Sequence, residues 1–208
     1  MKRLYLLRHG QTEFNVKKLV QGRCDSPLTD LGRQQAGMAA AWLKAHNVVP
    51  DKVVSSPLGR AMDTAGLVAT ELLGQNVAVE PCEGIIERCY GTFEEGPHDA
   101  LPTDVWDPGE DLVPYGGEGS QALQKRMVET LTKLISAENV ETLLAVSHGS
   151  ASRQFIKAAA PADFKLPTKL PNCAIMIFDF AEEEPGEEGK PPQCKFTLQQ
   201  IVDPQQSN

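Results

Sequence analysis

What most restricts the fold of this chain is an alternation. Short apolar runs, each cut off by polar residues, proline or glycine, take turns with longer stretches whose apolar residues fall at helical spacing. Arg3–Leu7 is the first run and ends abruptly at Arg8-His9-Gly10, as a buried strand opening into a loop does. Pro27-Leu28-Thr29-Asp30 introduces a helix, with Thr29 or Asp30 as cap and Ala36, Ala39, Ala40 and Leu43 along its apolar side. Lys52–Ser55 reads as a second strand, stopped by Ser55-Ser56-Pro57. A helix follows from about Leu58 to Leu73, with Ala61, Ala65, Val68 and Leu72 in register, and Val77–Val79 reads as a third strand. The rhythm resumes with a helix from Ser120 to about Ala137, the strand Thr142–Ser147 and a helix from about Ala151 to Ala160. Two strand-like segments, Ala174–Phe180 and Lys195–Val202, follow. Strands that alternate with helices predict an α/β fold, a three-layer α/β/α sandwich around a mostly parallel sheet.

At 208 residues the chain fits a single domain over 1–208, long enough to bury a core on both faces of a sheet. Between Ile85 and Gly117 glycines, prolines and acids dominate and periodicity is weak, so this segment reads as a lid-like excursion rather than a second domain. The acidic, Pro/Gly-rich connection over Glu182–Gln193 reads as a solvated hairpin loop.

Charge narrows the partners. The net charge is −8, and a uniformly acidic surface repels nucleic acid and anionic membranes. A small anion remains an admissible ligand where cations gather in one pocket. The opening apolar run is too short for a secretory signal, and no stretch approaches the roughly 18 apolar residues of a membrane span. Cys24, Cys82, Cys89, Cys173 and Cys194 are odd in number and scattered, with no C-x-x-C, and read as reduced thiols in a cytoplasmic protein. Nothing in the sequence specifies an oligomeric state.

In an open α/β sheet ligands sit beyond the carboxyl ends of the strands. Three such ends carry conspicuous polar residues: Leu7-Arg8-His9-Gly10, Ser55-Ser56-Pro57 running on to Arg60, and Val146-Ser147-His148-Gly149. Each is weak alone. A lone histidine after a strand is more often a core-bonded imidazole, and a lone arginine early in a helix is more often held at the surface by a salt bridge. Their convergence from three chain segments onto one rim carries more weight than any one of them.

The chain resembles the histidine phosphatase superfamily, which includes phosphoglycerate mutases and many small-molecule phosphatases. The resemblance rests on Leu7-Arg8-His9-Gly10-Gln11-Thr12-Glu13-Phe14-Asn15, on Gln21-Gly22-Arg23-Cys24-Asp25-Ser26-Pro27-Leu28-Thr29, and on Ser55 through Ala65. Glu87-Arg88-Cys89-Tyr90-Gly91 and Val146-Ser147-His148-Gly149 complete it, in the family's order. It implies a phosphoglycerate mutase-like fold and a phosphohydrolase that needs neither metal nor cofactor. By that resemblance His9 is the nucleophile, and Arg8 and Arg60 clamp the phosphate. His148 is a further donor, and Asn15 with the backbone near Gln21 and Gly22 completes the substrate pocket. Glu87 protonates the leaving oxygen. Physical chemistry agrees: flanking arginines keep a histidine nucleophile neutral, planar guanidinium forks match phosphate, and a carboxyl beside a phosphate dianion holds a proton more readily.

A phosphoglycerate mutase-type phosphotransferase is the alternative, and a non-catalytic binding relative a further one. A mutase calls for extra cations and a long lid. The segment Cys89–Gly117 contains seven acids and no lysine or arginine, which predicts repulsion of a second phosphate and favours hydrolysis of a small phosphate ester. Glu83, Glu94 and Glu95 read as solvated charges, while Phe93, Trp106 and Tyr115 either line a pocket or pack the lid. Two departures from the family pattern stand out. Gly116-Gly117-Glu118-Gly119-Ser120 contains an added glycine, and Ser150 stands where another glycine is usual, read as serving the helix start rather than substrate.

Overall fold

Leu4 and Leu6 point to one side of the first strand and Tyr5 and Leu7 to the other, and all four are buried. A strand covered on both faces needs a helical layer on each, and the chain supplies two. The computed structural model describes residues 1–75, 77–161, 164–182 and 194–206. Six strands form one sheet: β1 (Lys2–Arg8), β2 (Lys52–Ser55), β3 (Glu80–Pro81), β4 (Thr142–Ser147), β5 (Ile175–Glu182) and β6 (Cys194–Val202), in the order β3-β2-β4-β1-β5-β6. The first four pair in parallel; β5 and β6 add an antiparallel edge.

The helices are α1 (Glu13–Lys17), α2 (Asp30–Ala45), α3 (Gly59–Leu73), α4 (Ser120–Ile135) and α5 (Gly149–Ala159). Alanines 36, 39, 40, 61 and 65 of α2 and α3 pack with Tyr5, Leu7, Leu144 and Val146 on one face. On the other, Leu123, Met127 and Leu131 of α4 and Phe155 of α5 pack with Leu4, Leu6, Leu143 and Phe178. Each such Leu, Val or Phe contributes roughly 1.5–3 kcal/mol on burial.

The expected α/β/α sandwich is present, with differences at element ends. Thr29 is the α2 cap, its hydroxyl accepting from Gly32 N at 3.0 Å. Val77–Val79 is not a strand. The pairing falls on Glu80 and Pro81, opposite Val54 and Ser55, while Val77 and Val79 pack against the α2/α3 core as irregular chain. The short α1 was not anticipated, although Thr12 and Asn15 form a capping box that starts it and Lys18, with φ of 56°, ends it in a left-handed turn. The Glu182–Gln193 connection lies outside the described residues beyond Glu182.

The 85–117 segment is a chain of turns and short 3-10 helices that packs its Tyr90, Leu101 and Leu112 with Val20 in a small separate cluster. Cys24, Cys82, Cys89 and Cys173 are free thiols. Among the described residues no helix is long and apolar enough to cross a membrane.

Candidate active site

β1 and β4 are neighbours, yet α2, after β1, covers one face of the sheet and α5, after β4, covers the other. The chain therefore parts beyond their carboxyl ends and leaves a crevice there. Arg8 stands opposite Ser147 across the pair, so His9 and His148 leave the same edge, and His9 N donates to Ser147 O at 3.0 Å. The two imidazoles lie 5.2 Å apart between centroids, inclined at 60°. α3 brings Arg60 to the same rim, and Glu87 follows a turn that begins at Glu83. Arg8, His9, Arg60, Glu87 and His148 are all buried, so the structure gathers the five residues expected to carry the chemistry.

Burial and charge set their states. Both histidines are held well below the ordinary imidazole range, first by burial and then by the positive charge of Arg60, with Arg8 adding to it. Burial pushes Arg8 down to about 10, which still leaves it charged at neutral pH. His9 Nδ1 is 2.7 Å from Gly10 O. Assigned as the donor in that bond, Nδ1 leaves Nε2 of the neutral ring with a bare lone pair.

The cations are anchored at one end and open at the other. Arg60 Nη1 donates to Cys24 O at 2.8 Å and Asp25 Oδ1 at 2.9 Å, and Nη2 donates to Gly22 O at 2.7 Å. Arg8 Nη1 donates to Leu170 O, and its guanidinium carbon lies 5.0 Å from the Trp106 ring centroid. His148 Nε2 and Ser56 Oγ are 2.7 Å apart. After these bonds, Arg8 Nε, Arg60 Nε and His148 Nδ1 are buried without a partner. Such groups cost free energy when left unpaired, and three of them around one imidazole suit an oxyanion.

Asn15, Gln21 and Gly22 border the same pocket. Asn15 Oδ1 accepts from Thr12 N and Asn172 Nδ2, each at 3.2 Å. The Gln21 side chain is engaged inside its own loop by Thr12 and Ser26, and the Gly22 carbonyl belongs to Arg60.

Several residues take parts that the sequence reading missed. Ser56, inside the Ser55-Ser56-Pro57 stop, fixes His148. Arg88, fully buried beside Glu87, donates to Ser150 Oγ at 2.8 Å, to Glu118 O at 2.7 Å and to Ser120 Oγ at 2.9 Å. Ser150 thus serves the frame, and its amide donates to Glu87 Oε2 at 3.1 Å. Asn172 Nδ2 donates to His9 O at 3.1 Å from an irregular stretch that no pattern marks.

Glu94 is a correction. It is not a solvated charge: its carboxylate accepts from Arg23 N at 3.0 Å, Cys24 N at 2.8 Å and Tyr90 N at 2.9 Å. The added Gly119 also has a reason. A Cβ there would lie 1.9 Å from Glu110 Oε2, and Glu110 supplies the α4 cap by accepting from Gln121 N at 2.9 Å.

None of the seven acids of 89–117 borders the pocket. Among the described residues Glu87 is the acid in the pocket wall, while Glu94, Asp104, Asp107 and Glu110 are bonded within the surrounding frame. The repulsion expected from the seven acids of 89–117 has none of those seven in the wall to exert it. Of the three aromatics left open, Trp106 lines the pocket, whereas Phe93 and Tyr115 pack edge to face at 4.9 Å.

Residues 4–188 match the histidine phosphatase superfamily, branch 1. The chain belongs to that family. It is 35% identical over 158 residues to a broad-specificity phosphatase of Saccharomyces cerevisiae, covering 74% of this chain and 69% of the relative. It is 29% identical over 192 residues to a probable phosphoglycerate mutase of Yersinia pestis, covering 88% and 86%. Among solved structures, a mycobacterial glucosyl-3-phosphoglycerate phosphatase in complex with VO3 superposes with a TM-score of 0.75 at 25% identity, covering 96% of this chain and 98% of that one. In this histidine phosphatase the described residues hold no group of three or more His, Cys, Asp or Glu arranged to bind a metal ion.

Proposed function

We propose that this chain hydrolyses small phosphate monoesters through a phosphohistidine on His9. The observation that carries the reading is the set of unpartnered nitrogens on Arg8, Arg60 and His148 near an imidazole whose Nδ1 is already tied to Gly10 O; with His148 Nε2 assigned as the acceptor from Ser56 Oγ, all three are donors. His9 Nε2 attacks phosphorus while the bond to the leaving oxygen breaks, and Glu87 gives that oxygen its proton. Water then attacks phosphorus, the N–P bond breaks, and Glu87 takes the proton back. Arg8 and Arg60, with His148 and the Asn15 amide, stabilise the charge on the transferred group, and Gln21 and Gly22 shape the loop behind it. The two arginines supply the positive charge that a metal would otherwise bring. One domain carries this chemistry, with 85–117 as its lid, and the unpaired thiols suit a cytoplasmic setting.

The likeness to a probable mutase makes phosphoglycerate isomerisation the second reading. Against it, Arg8 and Arg60 are the arginines of the pocket wall and no lysine joins them, so a bisphosphate meets too little positive charge. A non-catalytic relative is disfavoured because every group the chemistry needs is present and gathered.

Rapid quench with a phosphate-labelled ester tests the covalent step. The expected result is an acid-labile, base-stable adduct on His9 and a loss of at least about three orders of magnitude in turnover in His9→Ala. Label on a cysteine or serine refutes it; Cys24 and Cys173 are poor candidates, because burial pushes Cys24 up to about 11 and Cys173 up to about 12. With 3-phosphoglycerate, phosphate release without 2-phosphoglycerate identifies the hydrolase, and fast isomerisation the mutase.

A further inference from the structure

Beyond the phosphate end, the pocket wall changes character. Leu19, Tyr90, Val105 and Trp106 border it together with His98. The Tyr90 hydroxyl donates to Val105 O at 2.7 Å and is also hydrogen-bonded with Ser150, so the phenol offers the pocket its ring and no free donor. His98 shares a 3.1 Å hydrogen bond with Leu19 O through Nε2 and is held below the ordinary imidazole range, mainly by burial. A neutral imidazole is a third flat ring in this wall.

Trp106 is fixed where it stands. Its amide donates to Asp104 Oδ1 at 2.9 Å, and Val105 before it is tied to Tyr90. Asp107 after it is bonded to Gln154 and Lys157 of α5. The indole covers the Arg8 guanidinium and lies against Gly149, where a Cβ would come within 2.7 Å of the ring. Tightly anchored apolar and aromatic surface at the leaving-group side of a phosphate site costs little entropy to use. His98 feels the positive charges of Lys18 and Lys169, neither of which borders the pocket.

We infer that Leu19, Tyr90, His98, Val105 and Trp106 form a leaving-group subsite for a flat or apolar alcohol, so that the substrates are phosphate monoesters of aromatic or apolar alcohols without a second anion. The inference rests on the hydrolase reading and narrows it. It does not rest on the acidity of the 89–117 segment, since the wall selects by ring and alkyl contact rather than by charge. Trp106 is the specificity-determining residue, because its indole covers the Arg8 guanidinium and also borders the apolar wall.

The test compares kcat/KM for 2-phenylethyl phosphate, glycerol 3-phosphate and 3-phosphoglycerate, which all leave as primary alcohols and therefore need similar help from the proton donor. The full chain should favour 2-phenylethyl phosphate by at least about tenfold over either of the others. Trp106→Ala should bring that ratio close to one, and Trp106→Phe should retain most of it. Leu19→Ser should lower the same ratio, which gives a second reading of the wall should Trp106→Ala not fold. Hydrolysis of all three esters with a wild-type ratio near or below one overturns the inference and leaves the hydrolase intact. A preference for 3-phosphoglycerate would assign the mouth to Lys18 and Lys169 instead. Hydrolysis of none of them refutes the hydrolase itself.

Discussion

The Glu87 carboxylate accepts hydrogen bonds from three amides, Arg88 N at 2.8 Å, Ser150 N at 3.1 Å and Ala151 N at 2.8 Å, the last two from the first turn of α5. Its orientation is therefore set by backbone, while the role proposed for it depends on the proton. Glu87→Gln preserves an acceptor oxygen and removes that proton. It should slow a phosphate ester of an alkyl alcohol by roughly 10²–10⁴-fold and p-nitrophenyl phosphate far less, because nitrophenolate leaves with little help. Equal losses for both esters would place the proton donor elsewhere. That Glu87 would meet His9, Arg8, Arg60 and His148 was legible because each sits inside a motif whose residue types suit the proposed reaction. Asn172 was not legible, since an asparagine that holds a carbonyl more than a hundred and sixty residues away leaves no local pattern.

Among the elements, β2 and β4 have the bounds that the sequence predicted, and the helices differ mainly at their ends. Apolar spacing marks these elements because sheet and helix each impose one period on whatever they bury. The 85–117 segment has no period to read, so its internal bonds stayed hidden, above all those of Glu94. That carboxylate holds the amides of Arg23 and Cys24, and the same loop turns its Gly22 and Cys24 carbonyls toward Arg60. Glu94→Ala should therefore loosen the phosphate clamp through the loop. It is expected to raise KM and to weaken vanadate inhibition about tenfold, with a loss of roughly 1–3 kcal/mol in stability, the scale of hydrogen bonds to a charged group. Glu95→Ala, at an exposed neighbour, is the control. Equal vanadate affinity in the two variants would sever the link from Glu94 to Arg60.

For the molecule as a whole, the proposed anion site has a stability cost that depends on pH. His9 and His148 are fully enclosed beside two guanidinium groups, so the folded chain keeps both imidazoles neutral well below the pH at which free imidazole takes up a proton. His98 is shifted the same way. The unfolded chain binds those protons near pH 6.5, and whichever state binds more protons gains as the pH falls. The histidines therefore cost nothing above about pH 7 and destabilise progressively below about 6.5, long before the carboxylates titrate. Between pH 7.5 and 5.5 each of the two enclosed histidines should remove about 1.4 kcal/mol from the unfolding free energy, a decline measurable by urea denaturation. His148→Gln, which can still bond Ser56 Oγ, should recover about one histidine's share of that decline whatever its stability at pH 7.5. If wild type and His148→Gln decline in parallel, the imidazole of His148 is protonated in the folded chain, and the neutral pair at the heart of the site does not exist.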